Sequence, residues 1–250
     1  VGGDARGFGA EDRAPASDLP GRRGAGLRPD REALKRFQAI LFDWDGTLLD
    51  SAEASFRCYQ RLFEPYGIDF TREVFTKTYA PDWYRTYEGI GLPREKWSEA
   101  DGRWLEIYRE EACALVPRAS EALSKIAAAG LRAALVTSGS RSRVEAELAR
   151  LGIADRFSAV VCGEDAKNKK PHPEALHAGL DRLGIASREA AYVGDSPEDI
   201  HMAKAAGVYA VGIEGAFPNR EALRASGPDL LAEDLLRAVE ELMGSTVQNV

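Results

Sequence analysis

Residues 39–50 read AILFDWDGTLLD. A short apolar run, Ala39 to Phe42, ends abruptly in two aspartates one residue apart, and Gly46-Thr47 follows. In an extended strand, side chains two apart share a face, so Asp43 and Asp45 point the same way from the end of a buried strand. Carboxylates that close repel one another unless a cation or a shared proton compensates them. A solvated turn after an edge strand is a poor rival, because the preceding run reads as buried. The pair marks a site.

Downstream, short runs rich in Val, Ala and Ile recur at Arg132 to Val136, Ala159 to Val161, Ala191 to Val193 and Tyr209 to Ile213. Between them lie RASEALSKIAAAG, SRSRVEAELARLG, HPEALHAGLDRLG and SPEDIHMAKAAG, each with apolar residues at helical spacing and a glycine at the stop. Regular alternation of strand and helix predicts a doubly wound parallel α/β sheet of Rossmann-like type, covered on both faces. AEDLLRAVEELM reads as a terminal amphipathic helix. Residues 51–116 break the rhythm with helical pattern and many aromatics, punctuated by Gly67, Pro81, Gly89, Gly91 and Pro93. This stretch reads as an inserted helical cap domain whose aromatics form its own core rather than a ligand box. The expected layout is a disordered leader over 1–36, rich in Gly, Pro, Ala and Arg, then an α/β core over 37–50 and 117–250 enclosing the cap.

At 250 residues with 44% hydrophobic content, the chain can bury a sizeable interior. A net charge of -7 argues against a nucleic-acid partner, and an anionic ligand must be held by local cations. Cys58, Cys113 and Cys162 form neither a disulfide framework nor a metal clip, which points to a reducing cytoplasm. His172, His177 and His201 are not spaced as a zinc site. No apolar run is long enough to span a bilayer. The oligomeric state is left open.

In parallel sheets, ligands sit beyond the carboxyl ends of the strands. There this chain places Asp43 and Asp45; Thr137, Ser138 and Gly139 at the opening of a helix; Lys170 before Pro171; and Asp195 with Asp199 one helical turn on. Taken singly, several have plain structural readings. Thr137 and Ser138 suit helix capping, Asp195 and Asp199 a helix cap and first-turn acid, and Lys167 and Lys169 read as surface lysines. Arg141 and Arg143 read as a solvated helix face, and His172 as a loop residue.

Taken in order, DxDGT, an apolar run ending in Thr-Ser, Lys-Pro and GDSxxD resemble the haloacid dehalogenase-like superfamily of phosphohydrolases, with a cap of the C1 helical type. The resemblance runs from about Phe37 to Met243 and is strongest to phosphoglycolate phosphatase-like members. It implies Asp43 as nucleophile, Asp45 as general acid then base, Thr137 and Lys170 as catalytic partners, and Thr47, Ser138 and Gly139 as substrate-binding residues. It also implies a Mg²⁺ site from Asp43, the Asp45 carbonyl and Asp195, oriented by Asp199. The expected partner is a small phosphorylated metabolite.

Among relatives, Asp45 speaks against dehalogenases, which lack the second aspartate, and against phosphonate-cleaving members, despite Lys77 and Lys96 in the cap. A β-phosphoglucomutase-like phosphomutase stays open. A catalytically idle binding module fits poorly with intact Asp43, Asp45, Thr137, Lys170 and Asp195. Hinges for cap closure are expected near residues 50–52 and 116–118.

Overall fold

The computed structural model describes residues 37–80 and 82–244, so the expected leader over 1–36 lies outside the described residues. Six parallel strands form one sheet: β1 (Ala39–Phe42), β2 (Arg132–Val136), β3 (Ala159–Val161), β4 (Ala190–Gly194), β5 (Tyr209–Ile213) and β6 (Leu230–Ala232), in the order β3-β2-β1-β4-β5-β6.

The helices that follow residue 116 are α5 (Ala119–Ala128), α6 (Arg141–Leu151), α7 (Glu174–Leu183), α8 (Pro197–Ala205), α9 (Arg220–Ala225) and α10 (Leu235–Gly244). Side chains alternate along β1, so Ile40 and Phe42 join one core with Leu123 of α5, Val144 of α6 and Leu235 of α10. Ala39 and Leu41 join the other with Leu176 and Leu180 of α7 and Ile200 of α8. Both faces are covered, which is the doubly wound arrangement expected and explains why the strands read as unbroken apolar runs. Phe42 is wholly buried, and truncating it to alanine would cost about 3–5 kcal/mol.

Two elements are unannounced in the sequence. β6 is a three-residue edge strand set by pairing Val211 with Leu230, and its Leu231 is 40% exposed. The short α9 precedes it.

Between β1 and α5 lie α1 (Ala52–Phe63), α2 (Arg72–Thr78), α3 (Trp83–Gly89) and α4 (Trp97–Tyr108). Phe56, Phe63, Phe70 and Phe75 pack their centre, with Phe63 edge-on to Tyr87 at 5.9 Å. The insertion's two connections run side by side: the Asp50 N–H donates to Ala114 O, and the Val116 N–H to Leu48 O, both at 2.9 Å. The segments read as hinges are thus tied to one another.

Candidate active site

The strand order reverses between β1 and β4, the position where open α/β sheets leave a crevice. Phe42 pairs with Val193, which sets Asp43 beside Gly194 and Asp195. Lys170 arrives from the loop after β3 and is buried. Its Nζ donates to Asp43 Oδ1 at 2.5 Å, to Asp199 Oδ1 at 2.7 Å and to the Tyr192 hydroxyl at 2.8 Å. The Tyr192 hydroxyl donates in turn to the Val136 carbonyl at 2.9 Å, so one side chain of β4 anchors the lysine from below.

Asp199 does two jobs. Its Oδ2 accepts from the Ser196 N–H (3.1 Å) and O–H (2.7 Å), while its own N–H donates to Ser196 Oγ (3.2 Å). This is the capping box at the start of α8, completed by Pro197 in the first turn. Its Oδ1 meanwhile fixes Lys170. Both oxygens are therefore engaged.

Asp195 is the opposite case. Oδ1 accepts the Thr47 hydroxyl at 3.2 Å, whereas the buried Oδ2 has no hydrogen-bond partner among the described residues. The backbone crowds round it: a Cβ on Gly46 would lie 2.3 Å from Oδ2, and one on Gly215 2.9 Å. Gly46 also holds φ of 80°, the left-handed region that favours glycine. Thr47 was expected to bind substrate. It is instead fully buried and spent on Asp195, because the tight turn after Asp45 points it inward.

One oxygen each from Asp43, Asp195 and Asp199 lie within 4.8 Å of one another, a buried set of hard donors that could hold a metal ion. The orphan Asp195 Oδ2 and the surplus of carboxylate over ammonium fit a divalent cation there.

Burial and crowding set the charges of this cluster. Burial, opposed by Lys170, raises Asp43 to about 7. Burial and the nearby Asp199 and Asp43 charges push Asp195 well above the ordinary carboxylate range. Burial alone would lower Lys170, but Asp199 and Asp43 outweigh it and raise it. A carboxyl with a raised value binds its proton more tightly folded than unfolded. The metal-free protein should therefore lose stability as pH rises from about 4 toward about 7, because the unfolded chain releases the Asp43 proton at the lower pH and the folded protein only near the higher. Thermal unfolding from about pH 5 to about pH 8 checks this: the decline should be shallower in Asp195→Asn and be largely removed by Mg²⁺.

Asp45 has an unforeseen partner. Arg143 grips it bidentately, Nη2 to Oδ2 at 2.5 Å and Nη1 to Oδ1 at 3.0 Å. The arginine is no solvated residue: it is buried to 11% side-chain exposure, lies 3.4 Å from Glu147 and has its guanidinium 5.0 Å from the centre of the Tyr108 ring. Glu147 in turn accepts the Trp44 indole N–H at 2.6 Å. Arg143 and Glu147 are four apart on α6, beside the buried Val144 and Leu148, and that adjacency to the apolar stripe is the signal that could have revealed them. Burial would raise Asp45, but the guanidinium outweighs it and holds the carboxylate below its usual range.

Thr137 and Ser138 face the same cavity, as expected. Thr137 Oγ1 accepts the Gly139 N–H at 3.0 Å, so that amide is engaged within the turn. Gly139 serves Arg143 instead, since a Cβ there would sit 2.5 Å from Nη2. Lys169 is a surface lysine, as read, with an added ring contact. Its ammonium lies 3.2 Å from the centre of the Trp83 ring and 4.8 Å from that of Tyr84. His172 is an exposed loop residue, as read.

These strand ends floor a cavity of about 320 Å³ roofed by the helical insertion. Tyr59, Tyr79, Trp83, Tyr87 and Trp104 line it, so the aromatics expected to serve only as the insert's core divide between core and cavity wall. Phe217 stacks on Tyr79 at 4.4 Å across the seam.

Comparison with known proteins agrees with this architecture. Residues 40–213 match the family model described as haloacid dehalogenase-like hydrolase. A phosphoglycolate phosphatase of Yersinia pseudotuberculosis is 33% identical over 219 residues, covering 82% of this chain and 94% of that protein. The crystal structure of a predicted phosphoglycolate phosphatase from Haemophilus somnus superposes with a TM-score of 0.74 at 24% identity, over 82% of this chain and 98% of the other. A β-phosphoglucomutase from Clostridium difficile superposes with a TM-score of 0.68 at 19% identity, over 84% and 97%, and so shares the fold. No described helix is long and apolar enough to cross a membrane. With its family model spanning most of the chain and a relative 33% identical over 82% of it, the protein belongs to the haloacid dehalogenase-like hydrolase family.

Proposed function

We propose that this chain is a Mg²⁺-dependent phosphatase that hydrolyses a small phosphomonoester through a phosphorylated Asp43. The observation that carries the reading is the setting of Asp43: one oxygen is held by Lys170 at 2.5 Å, and Asp195 beside it offers an unpartnered oxygen at the cavity floor.

In this reading the free oxygen of Asp43 attacks phosphorus while Asp45 gives its proton to the departing alkoxide, leaving an acyl phosphate. Asp45, now ionised, takes a proton from water as that water attacks phosphorus; phosphate leaves and Asp43 is restored. Lys170 offsets charge on Asp43 and the phosphoryl oxygens, and Thr137 with Ser138 borders the phosphate position. Asp43, the Asp45 carbonyl and Asp195 would hold Mg²⁺, with Asp199 keeping Lys170 in place. When bound, the cation would neutralise the anionic oxygens gathered there.

The Arg143 grip has a direct consequence for Asp45. Clasped as a carboxylate, Asp45 is in the form that accepts a proton from water, so delivering a proton in the first step requires it to leave the guanidinium. Asp45→Asn tests the assignment. kcat/KM, which reports formation of the acyl phosphate and not its hydrolysis, should fall by about 10²–10⁴-fold for alkyl phosphates but by roughly tenfold or less for p-nitrophenyl phosphate, whose leaving group needs no proton. Equal losses on both would reject the acid role.

A phosphomutase reading draws support from the shared fold with a β-phosphoglucomutase. Phosphate release against sugar-phosphate isomerisation, measured side by side, separates the two.

A further inference from the structure

The wall that the helical insertion gives the cavity has a composition of its own. Five rings, those of Tyr59, Tyr79, Trp83, Tyr87 and Trp104, and the carboxylate of Asp101 face it. Asp101 is half-buried and accepts from the Trp83 indole N–H at 2.9 Å, the Tyr84 hydroxyl at 2.8 Å and the Tyr87 hydroxyl at 3.2 Å. All three donors are neutral, so they orient the carboxylate without cancelling its charge.

Among the described residues lining the cavity, the cations are Lys170 and Arg143. Each is already committed, Lys170 to Asp43 and Asp199 and Arg143 to Asp45 and Glu147. A substrate with a second negative group, such as a carboxylate on its alcohol part, would meet Asp101 and no unengaged cation. That juxtaposition is repulsive and poorly solvated. A neutral ring would fit the aromatic walls but leave the charge of Asp101 facing it. A positive group satisfies both features, because the negative faces of aromatic rings and a carboxylate attract it together. The ring cluster and Asp101 already attract one ammonium: that of exposed Lys169, 3.2 Å from the centre of Trp83, outside the cavity lining and acted on by the charge of Asp101, so a substrate cation would share that charge with it.

We propose that the alcohol part of the substrate carries an ammonium or quaternary ammonium group, seated among the aromatic side chains of the helical insertion with Asp101 as its counter-charge. The substrate class is then the phosphomonoester of an amino alcohol. The inference rests on the phosphatase reading of the same site, so its test needs one arm that does not depend on turnover.

With Mg²⁺ present, kcat/KM is measured for phosphocholine, 2-phosphoglycolate and phenyl phosphate. In parallel, binding of choline to the protein is followed through tryptophan fluorescence, since Trp83 and Trp104 both border the cavity. Phosphocholine should exceed each of the other two by about tenfold or more, and Asp101→Asn should reduce its advantage over phenyl phosphate by about tenfold. Choline alone should bind saturably, and Asp101→Asn should weaken that binding by a similar factor. Should Asp101→Asn fail to fold, Trp104→Leu serves, because the Trp104 indole N–H has no hydrogen-bond partner to lose; it should weaken choline binding about threefold or more.

Equal or better turnover of 2-phosphoglycolate would overturn the proposal, as would phenyl phosphate matching phosphocholine. Absence of phosphate release from every ester, p-nitrophenyl phosphate included, would defeat the phosphatase reading instead. In that case choline binding still decides the inference, and its absence would end it.

Discussion

Asp43→Asn should lower turnover of every phosphomonoester by about 10⁴-fold or more while leaving the metal-free protein at least as stable as the parent. The chemical half follows from replacing a nucleophilic carboxylate with an amide. The stability half follows from the site's electrostatics: burial and the neighbouring Asp199 disfavour the charge on Asp43, and the amide removes that cost. Lys170 keeps Asp199 at 2.7 Å and the Tyr192 hydroxyl at 2.8 Å, so it is not abandoned. Phosphate release and thermal unfolding without metal are the two measurements. Turnover within tenfold of the parent would remove Asp43 from the chemistry. A large fall in melting temperature would show that its role is structural.

Lys170→Met should cost as much stability as truncating the wholly buried Phe42. The ammonium is the shared partner of two buried carboxylates, Asp43 at 2.5 Å and Asp199 at 2.7 Å. Removing one member of such a cluster leaves uncompensated buried charge, at a cost of about 3–5 kcal/mol, or a fall in melting temperature of roughly 6–20 °C for a domain of this size. Mg²⁺ should restore part of the loss, because in the proposed reading it would bind Asp43, one of those two carboxylates. Lys167→Met, in the same loop but exposed, should change stability by no more than about 0.5 kcal/mol. Equal effects of the two substitutions would contradict the buried network.

The parts of this architecture that could be read from sequence share a physical cause. β1, β2, β3 and β5 coincide with the apolar runs, because most of their residues are buried and apolar, even in β3 at the sheet's edge, where Ala159 and Val161 are buried. β4 extends one residue beyond its run at each end, to Ala190 and Gly194. β6 escaped because, unlike the equally short edge strand β3, it has one buried residue, with Leu230 half-buried and Leu231 exposed. In the site, Asp43, Lys170, Asp195 and Asp199 were legible because each follows a strand, and the parallel sheet brings strand ends to one edge.

The remainder depended on side-chain direction. Arg143 looks like any charged residue early in a helix until α6 turns it beneath Asp45. Thr47 faces inward to Asp195 through the turn at Gly46, and Lys169 reaches the insertion's aromatics only because the insertion lies over that loop. Whether Tyr59 or Trp104 faces a core or a cavity is set by how four helices pack over the sheet, which periodicity within one helix does not specify.

The central claim is that phosphorus passes through the carboxylate at residue 43. Rapid acid quench of the Mg²⁺-loaded protein during turnover, followed by borohydride reduction and peptide mass mapping, tests it most directly, because reduction of an aspartyl phosphate converts that aspartate to homoserine. The account predicts homoserine at position 43, only with substrate and Mg²⁺ present, and none in Asp43→Asn. Continued phosphate release with residue 43 unmodified, or the label found on another residue, would contradict it.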